Sequence, residues 1–106
     1  MTRYRMSDGT IVDSDNASAS WDEATRNDGH HPVSVATGSH WAHERLNRSR
    51  RGRYYVERWH QANGTVPGAE WVSNEEATRW LLLSNYDPSD ADWPAELTPL
   101  VDEVSE

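Results

Sequence analysis

Cysteine, lysine and phenylalanine are all missing from the 106 residues of this chain. Without cysteine there can be no disulfide framework, no thiolate metal site and no cysteine nucleophile. Because only 35% of the residues are hydrophobic and none is Phe, the six Trp must supply much of the buried apolar area. A basic set made only of Arg is typical of a GC-rich genome, and salt adaptation is the alternative explanation.

Long apolar segments are missing as well. No run approaches the roughly 18 residues of a membrane-spanning helix, and Met1 to Arg5 lead into polar residues without the apolar core of a signal peptide. We therefore expect a soluble, cytoplasmic protein with no membrane contact. The length suits one core, so residues 1–106 are predicted to form a single domain in which residues 102–106 are frayed.

The net charge of −8 is distributed unevenly along the chain. Residues 1–42 carry three Arg against six acidic residues, whereas residues 43–60 carry six Arg against two Glu. Residues 61–106 carry one Arg against ten acidic residues. The sequence therefore predicts a polarised protein, with a basic middle segment and an acidic C-terminal segment.

Two β-hairpins are predicted from turn residues that separate strand-like segments. The first joins Arg3–Met6 to Thr10–Asp13 through an Asp-Gly turn. The second joins Glu44–Ser49 to Arg53–His60 through Arg50-Arg51-Gly52, with Gly52 in the left-handed conformation. The register that we favour for the second hairpin places these residues opposite each other: Leu46 and Val56, Arg48 and Tyr54, Arg45 and Glu57, and Glu44 and Arg58.

A helix is expected over Ala17–Arg26, capped by Asp15. Short strands are expected over Pro32–Ala36 and Ala69–Val72, with a loop over Ala62–Gly68 between the second hairpin and the latter strand.

The clearest helix begins at Ser73, which can form a capping box with Glu76. This helix should run from Asn74 to Leu83, and the core residues expected here are Trp71, Ala77, Trp80 and Leu81. Trp93-Pro94 opens a last helical stretch, which Pro99 should shorten or kink. Together the elements predict an α+β fold: a small antiparallel sheet of four to five short strands packed with two to three helices.

Five His raise the question of a metal site. His40 and His43 have the i, i+3 spacing that can bring two imidazoles to one ion, with further ligands from Glu44, His60 or His30. The zinc-protease order, with Glu between paired His, is absent. The series Asp87, Asp90 and Asp92 lacks the glycine and the bidentate Glu of a calcium loop. We predict no metal site and no cofactor.

Catalytic signatures are also missing from the sequence. No Ser lies in a G-x-S-x-G elbow, and neither glycine pattern of phosphate-binding loops occurs. Acidic pairs such as Asp22-Glu23 are adjacent, and adjacent residues do not face each other on a helix. The sequence therefore favours a binding protein over an enzyme.

The second hairpin combines Arg with aromatic residues, a pattern typical of a surface that grips phosphates and stacks on bases. Its candidate contact residues are Arg48, Arg50, Arg51, Arg53, Tyr55 and Arg58. Two observations weigh against direct nucleic-acid binding: Arg45 and Arg58 have Glu partners in the predicted register, and the net charge repels a polyanion.

The acidic segment from Glu70 to Glu106 suggests a different partner, a basic surface of another protein. Carboxylates can occupy a groove meant for phosphates, so such a segment can mimic the charge of a nucleic acid. The candidate contact residues are Glu75, Asp87, Asp90 and Asp92. Acidic surfaces also serve solubility, which is the structural alternative.

Three segments resemble those of short, mostly uncharacterised accessory proteins of bacteria, plasmids and phages. They are Tyr4–Thr10, Leu46–Tyr55 and Trp71–Leu82, which cover about a quarter of the chain. In size, acidity and lack of catalytic motifs the chain is also similar to small anti-CRISPR and anti-restriction inhibitors. This resemblance implies an accessory role and transfers no catalytic residue.

We therefore expect an inhibitor that binds a nucleic-acid-handling complex by surface occlusion or charge mimicry. A nucleic-acid-binding regulatory module that uses residues 44–60 is the second hypothesis. An immunity or antitoxin protein is the third. The sequence leaves the oligomeric state open.

Overall fold

The computed structural model describes the backbone of residues 3–23, 25–28, 31–34, 42–60 and 68–104, and the side chains of residues 3–23, 43–59 and 68–104. Over these residues the chain has the α+β fold that the sequence predicts. A four-stranded antiparallel sheet is its central element. Two separate two-stranded sheets accompany it, together with a helical segment formed by residues 74–104.

Eight strands and two α-helices are described, together with 3₁₀ turns at Ser14–Asn16 and Ala95–Leu100. The strands are β1 (Arg3–Arg5), β2 (Ile11–Asp13), β3 (Ala19–Asp22), β4 (Thr25–Asp28), β5 (His31–Ser34), β6 (Ala42–Arg48), β7 (Tyr54–His60) and β8 (Gly68–Trp71). The helices are α1 (Asn74–Leu83) and α2 (Val101–Val104). The central sheet has the order β3-β6-β7-β8, while β1 pairs with β2 and β4 pairs with β5.

The register of the second hairpin, β6-β7, is the predicted one. Leu46 lies opposite Val56, and the three other predicted pairs also hold. Gly52 has a φ of +90°, the left-handed conformation that the three-residue turn requires. Because alternate residues of a strand point to opposite faces, this register puts Leu46 and Val56 on one face of the sheet and Tyr55 and Glu57 on the other.

The first face of the sheet is covered by the helical segment. Its buried cluster, here called the helix-side core, consists of Trp21, Leu46, Tyr54, Val56, Ala77, Trp80, Leu81, Trp93 and Leu97. Two indole N–H groups connect the layers: Trp21 Nε1 donates to the Asp92 carbonyl at 2.8 Å, and Trp80 Nε1 donates to Glu44 Oε1 at 3.1 Å. The predicted core positions Ala77, Trp80 and Leu81 are confirmed.

The opposite face of the sheet is covered by the first hairpin, β1-β2. Its turn is the predicted one, with Gly9 at a φ of +88°. Tyr4, Met6 and Val12 pack on Tyr55, with Ala69 and Trp71 at the margin, in what we call the hairpin-side core. Trp71 therefore belongs to a different cluster from Trp80 and Leu81, with which the sequence analysis had grouped it.

The predicted helix over Ala17–Arg26, with its cap at Asp15, is wrong. Asp13, rather than Asp15, accepts a capping hydrogen bond, from the Asp15 amide at 3.0 Å, and the turn that it starts ends at Asn16. Strands β3 and β4 follow. Serine and asparagine compete for backbone hydrogen bonds and weaken a helix here, whereas the strand lets Trp21 enter the helix-side core opposite Leu46.

Helix α1 has the predicted bounds, and its capping box is confirmed. Ser73 Oγ accepts from the Glu76 amide at 3.1 Å, and Glu76 Oε1 accepts from the Ser73 amide at 3.3 Å. The last helical stretch is divided at Pro99: a 3₁₀ turn runs to Leu100 before α2 begins. This division agrees with the predicted effect of proline.

Replacing Ser73 with alanine should lower the free energy of unfolding by about 1 kcal/mol, because the Glu76 amide at the start of α1 loses its acceptor. Chemical denaturation monitored by circular dichroism measures the change. Glu76→Gln is the matched control, since glutamine can also serve in a capping box. Equal stability of Ser73→Ala and the native protein would contradict the role assigned to the cap.

Strand β8 begins at Gly68 and covers most of the strand predicted over Ala69–Val72. Strand β5 ends at Ser34, so the end of the strand predicted over Pro32–Ala36 lies outside the described residues. The same holds for positions 62–67 of the predicted loop, and for His30 and His40 of the metal hypothesis.

Candidate binding surface

The tip of the β6-β7 hairpin, residues 50–52, presents two neighbouring guanidinium groups to solvent. The turn is closed by the Ser49 amide, which donates to the Arg53 carbonyl at 2.7 Å, and by the Gly52 amide, which donates to the Ser49 carbonyl at 2.9 Å. Arg50 and Arg51 are exposed, and neither forms an ion pair within the part of the chain that the structure describes. They are therefore available to an external anion.

Arg53 connects the hairpin tip to the first hairpin. Its guanidinium lies 3.9 Å from the ring centroid of Trp71, a cation–π contact, and its Nη1 lies 3.3 Å from Asp8 Oδ2. Asp8 also accepts a hydrogen bond from the Thr10 amide, which holds the pKa of the Asp8 carboxyl below its usual range. The Asp8 carboxylate therefore stays charged and keeps Arg53 over the indole.

Arg48 and Arg58 are held by carboxylates away from the hairpin tip. Arg48 Nη1 contacts Glu96 Oε1 at 2.8 Å, and the Tyr54 hydroxyl donates to the same oxygen at 2.5 Å. The hydroxyl and then the guanidinium lower the pKa of Glu96. Arg58 bridges Glu44 and Glu70, each at 2.6 Å. Both arginines thus form ion pairs within the chain; a Glu partner was predicted for Arg58 and none for Arg48.

The second Glu pairing expected from the register is absent as a side-chain contact. Arg45 lies opposite Glu57, but its Nε donates to Asp22 Oδ1 at 2.8 Å. Glu57 is buried and accepts from the Tyr4 hydroxyl at 2.7 Å and from Asn47 Nδ2 at 2.9 Å. The carboxylate thus connects the first hairpin to the sheet.

A cavity of about 660 Å³ opens between the first hairpin and the tip of the second. It is lined by Thr10, Ile11, Val12, Asp13, Asn16, Ser49, Arg50, Arg51, Arg53, Tyr55 and Trp71. Four of the six predicted residues of the basic hairpin therefore line one concave site, namely Arg50, Arg51, Arg53 and Tyr55. Arg48 and Arg58 are not among its lining residues.

The four predicted acidic contact residues lie on the helical segment but do not meet at one point. Glu75, in the first turn of α1, pairs with Arg79 at 2.7 Å. Asp87 and Asp90 follow the end of α1 and shape a turn, because Asp87 Oδ1 accepts from the Ser89 amide and Asp90 Oδ2 accepts from the Asp87 amide, both at 2.9 Å. Asp92 is exposed two residues later. Helix α1, about 15 Å long, separates Glu75 from these three residues.

His43 is held in a structural contact. Its Nδ1 lies 2.5 Å from Glu23 Oε1, and its ring is stacked on Trp59 with a centroid distance of 5.8 Å. No group of three or more His, Cys, Asp and Glu in the described residues is arranged to hold a metal ion. Among the helices that the structure describes, none has the length and apolar character needed to cross a membrane.

Sequence reasoning missed the part of the cavity that the first hairpin supplies. Ile11 and Asp13 stood only as strand residues, and Trp71 as a core residue. Composition and turn patterns carry no signal for this site, because residues about 40 or more positions apart meet only when the first hairpin packs on the sheet.

Comparison of the chain with protein families, with curated proteins and with solved structures found no match.

Proposed function

We propose that this protein is a non-catalytic inhibitor that binds a nucleic-acid-handling complex and occludes its nucleic-acid site. The observation that carries the proposal is the charge of residues 73–104, here called the acidic layer. It holds eight acidic residues and one Arg, and seven of the eight are exposed. A basic groove on a partner protein is the complementary surface.

The acidic layer packs on buried apolar side chains, which hold its backbone in place. Leu81 and Leu97 are completely buried beneath it, and Trp93 is 7% exposed. Hydrogen bonds order the carboxylates of Glu76, Asp87 and Asp90. Side chains that are ordered before binding lose less conformational entropy in a complex, so these charges can act as a preorganised substitute for a row of phosphates.

The hairpin tip is electrically opposite to the acidic layer, and this polarity supports a partner that itself holds nucleic acid. Carboxylates can dock on the cationic groove of such a partner, while Arg50 and Arg51 can contact the acidic surface or the phosphates beside it. Long-range steering between unlike charges also raises the association rate at low salt.

The decisive experiment compares inhibition by native and neutralised protein. DNA cleavage by a panel of restriction endonucleases and RNA-guided nucleases is measured against a variant with Glu75→Gln, Asp87→Asn, Asp90→Asn and Asp92→Asn. The amides keep an acceptor oxygen for the turn while losing the charge. We expect inhibition by the native protein and at least a tenfold weaker effect of this variant.

The control for that experiment is Arg5→Ala, which changes an exposed Arg of β1 outside both the acidic layer and the hairpin tip and should retain inhibition within about threefold. Circular dichroism verifies that both variants are folded. Undiminished inhibition by the neutralised variant, or no inhibition of any nuclease in the panel, would contradict the proposal.

A second candidate function is direct nucleic-acid binding, favoured by the exposed guanidinium groups of Arg50 and Arg51, which have no ion-pair partner in the described part of the chain. A mobility shift with short DNA and RNA tests it across a salt series. Two to three phosphate contacts predict that log K falls against log salt with a slope of about −2 to −3. Arg50→Ala/Arg51→Ala should abolish the shift, and no shift at low salt would exclude this function.

A further inference from the structure

The cavity between the two hairpins has the dimensions of a small-molecule site. Its volume of about 660 Å³ falls inside the usual range of roughly 300–1,000 Å³ for ligand pockets. Its walls come from the first hairpin and its following turn, from the tip of the second hairpin and from β8. Arg53, held over Trp71 and paired with Asp8, fixes the contact between these elements.

The lining of this cavity is divided into a cationic rim and an apolar wall. Arg50 and Arg51 supply positive charge at the rim, and neither forms an ion pair with a residue that the structure describes. Ile11 and Trp71 supply apolar surface, and Ile11 is 61% exposed, one of two large hydrophobic residues that the described chain leaves exposed. A cationic rim beside an apolar wall is complementary to a ligand that is anionic at one end and apolar at the other.

The acidic group in the lining does not cancel the cationic rim. Asp13 accepts a hydrogen bond from the Asp15 amide at 3.0 Å and lies 3.8 Å from Arg3 Nε. Its charge is therefore balanced in part by groups other than Arg50 and Arg51. Arg53 is likewise balanced by Asp8, so the two tip arginines are the charges of the cavity for which the described residues provide no ion-pair partner.

A second and independent observation is the Tyr55 hydroxyl. Tyr55 lines the cavity and is only 1% exposed, yet its hydroxyl oxygen forms no hydrogen bond with any described residue. Burial raises the pKa of Tyr55 to about 12, so the hydroxyl keeps its proton at neutral pH and remains a donor. Buried donors are nearly always paired in proteins, and a bound acceptor would satisfy this one.

We infer that this cavity binds a small aromatic anion, a flat ring system that carries a phosphate, sulfonate or carboxylate group. The anionic group lies between Arg50 and Arg51, since guanidinium forks match these oxygen geometries. The ring system packs on Ile11 and Trp71, and a polar atom of the ligand accepts from the Tyr55 hydroxyl. This site is separate from the acidic layer and does not depend on the function proposed above.

The test is a fluorescence titration with 8-anilinonaphthalene-1-sulfonate, an aromatic sulfonate, followed by displacement with AMP. We expect saturable one-site binding that AMP reverses. The neutral relative N-phenyl-1-naphthylamine should bind at least tenfold more weakly, and inorganic phosphate should displace the probe at least tenfold less well than AMP.

Three variants connect this binding to the cavity. Arg50→Ala/Arg51→Ala should weaken AMP binding at least tenfold, and Tyr55→Phe, which removes only the hydroxyl oxygen, should weaken it about three- to tenfold. Arg79→Ala is the control, since it removes an exposed Arg on α1 outside the cavity, and should change binding less than twofold. Thermal melting verifies that each variant is folded.

Several outcomes would overturn the inference. If the native protein and the double Arg variant bound AMP equally well, or if the neutral probe bound as well as the sulfonate, the cavity would be only an apolar patch. Displacement by inorganic phosphate as efficient as that by AMP would leave only a surface anion site. Displacement by a single-stranded oligonucleotide but not by AMP would assign the cavity to nucleic acid. None of these outcomes would change the inhibition expected of the acidic-layer variants, so the two proposals are tested separately.

Discussion

Replacing Leu81 with alanine should lower the free energy of unfolding by about 2–5 kcal/mol. Leu81 is completely buried in the helix-side core, between α1 and the central sheet. The substitution removes apolar contacts and leaves a space that the surrounding Trp and Leu side chains fill only in part. Urea denaturation followed by tryptophan fluorescence measures the change.

Leu83→Ala is the matched control for Leu81→Ala, because it makes the same chemical change in the same helix. The Leu83 side chain is 63% exposed. It should therefore change the free energy of unfolding by no more than about 0.5 kcal/mol, as exposed substitutions usually do. Similar losses at the two positions would contradict the orientation of α1 described here.

Glu57→Ala should cost about 2–4 kcal/mol of stability, because the Tyr4 hydroxyl and Asn47 Nδ2 lose their acceptor in a buried site. The substitution should mainly weaken the packing of the first hairpin on the sheet. Protection of the β1-β2 amides in hydrogen exchange should fall more than protection in β6-β7.

A double-mutant cycle isolates this contact. Tyr4→Phe removes the donor, so the loss from Glu57→Ala should be smaller in the Tyr4→Phe background, with a coupling energy of about 1–3 kcal/mol. Glu57→Gln, which keeps an acceptor oxygen, should lie between the native protein and Glu57→Ala. Strict additivity of Tyr4→Phe and Glu57→Ala would show that the two side chains do not interact.

Local features of the fold were predictable from the sequence. The β6-β7 register followed from a turn glycine and from pairs that lose both charge and apolar complementarity when slipped by one residue. The bounds of α1 followed from Ser73 and Glu76, which satisfy backbone groups at the helix start. In each case the interacting residues are near in sequence, so their residue types are sufficient.

The segment around Trp21 shows where local reasoning failed. The spacing of Ala17, Trp21 and Ala24 is compatible with a helix face, but Trp21 is also the only apolar residue in the alternating run of β3 that is fully buried. In so short a segment the apolar residues fit both the helical period of about 3.6 residues and the strand period of 2. Pairing with Leu46, 25 positions away, decided between them.

The candidate sites were predictable to different extents. The basic hairpin and the acidic segment were visible as charge blocks, and the register predicted the Arg58–Glu44 pair, but the pairs of Arg48 with Glu96 and of Arg58 with Glu70 were not visible. Arg48 and Arg58 are held by Glu96, Glu44 and Glu70, so the available charge is at Arg50 and Arg51. The cavity itself could not be anticipated, since its walls come from segments that are distant in the chain.

The sequence by itself determined the α+β class, both predicted hairpins, the capped helix and the polarised charge, because each depends on neighbouring residues or on composition. Only the tertiary structure decided which charges remain unpaired, which carboxylate the Tyr4 hydroxyl binds, and that the first hairpin encloses a cavity with Tyr55. These contacts depend on how layers pack, and packing brings together side chains more than 40 positions apart whose pairing no local pattern encodes.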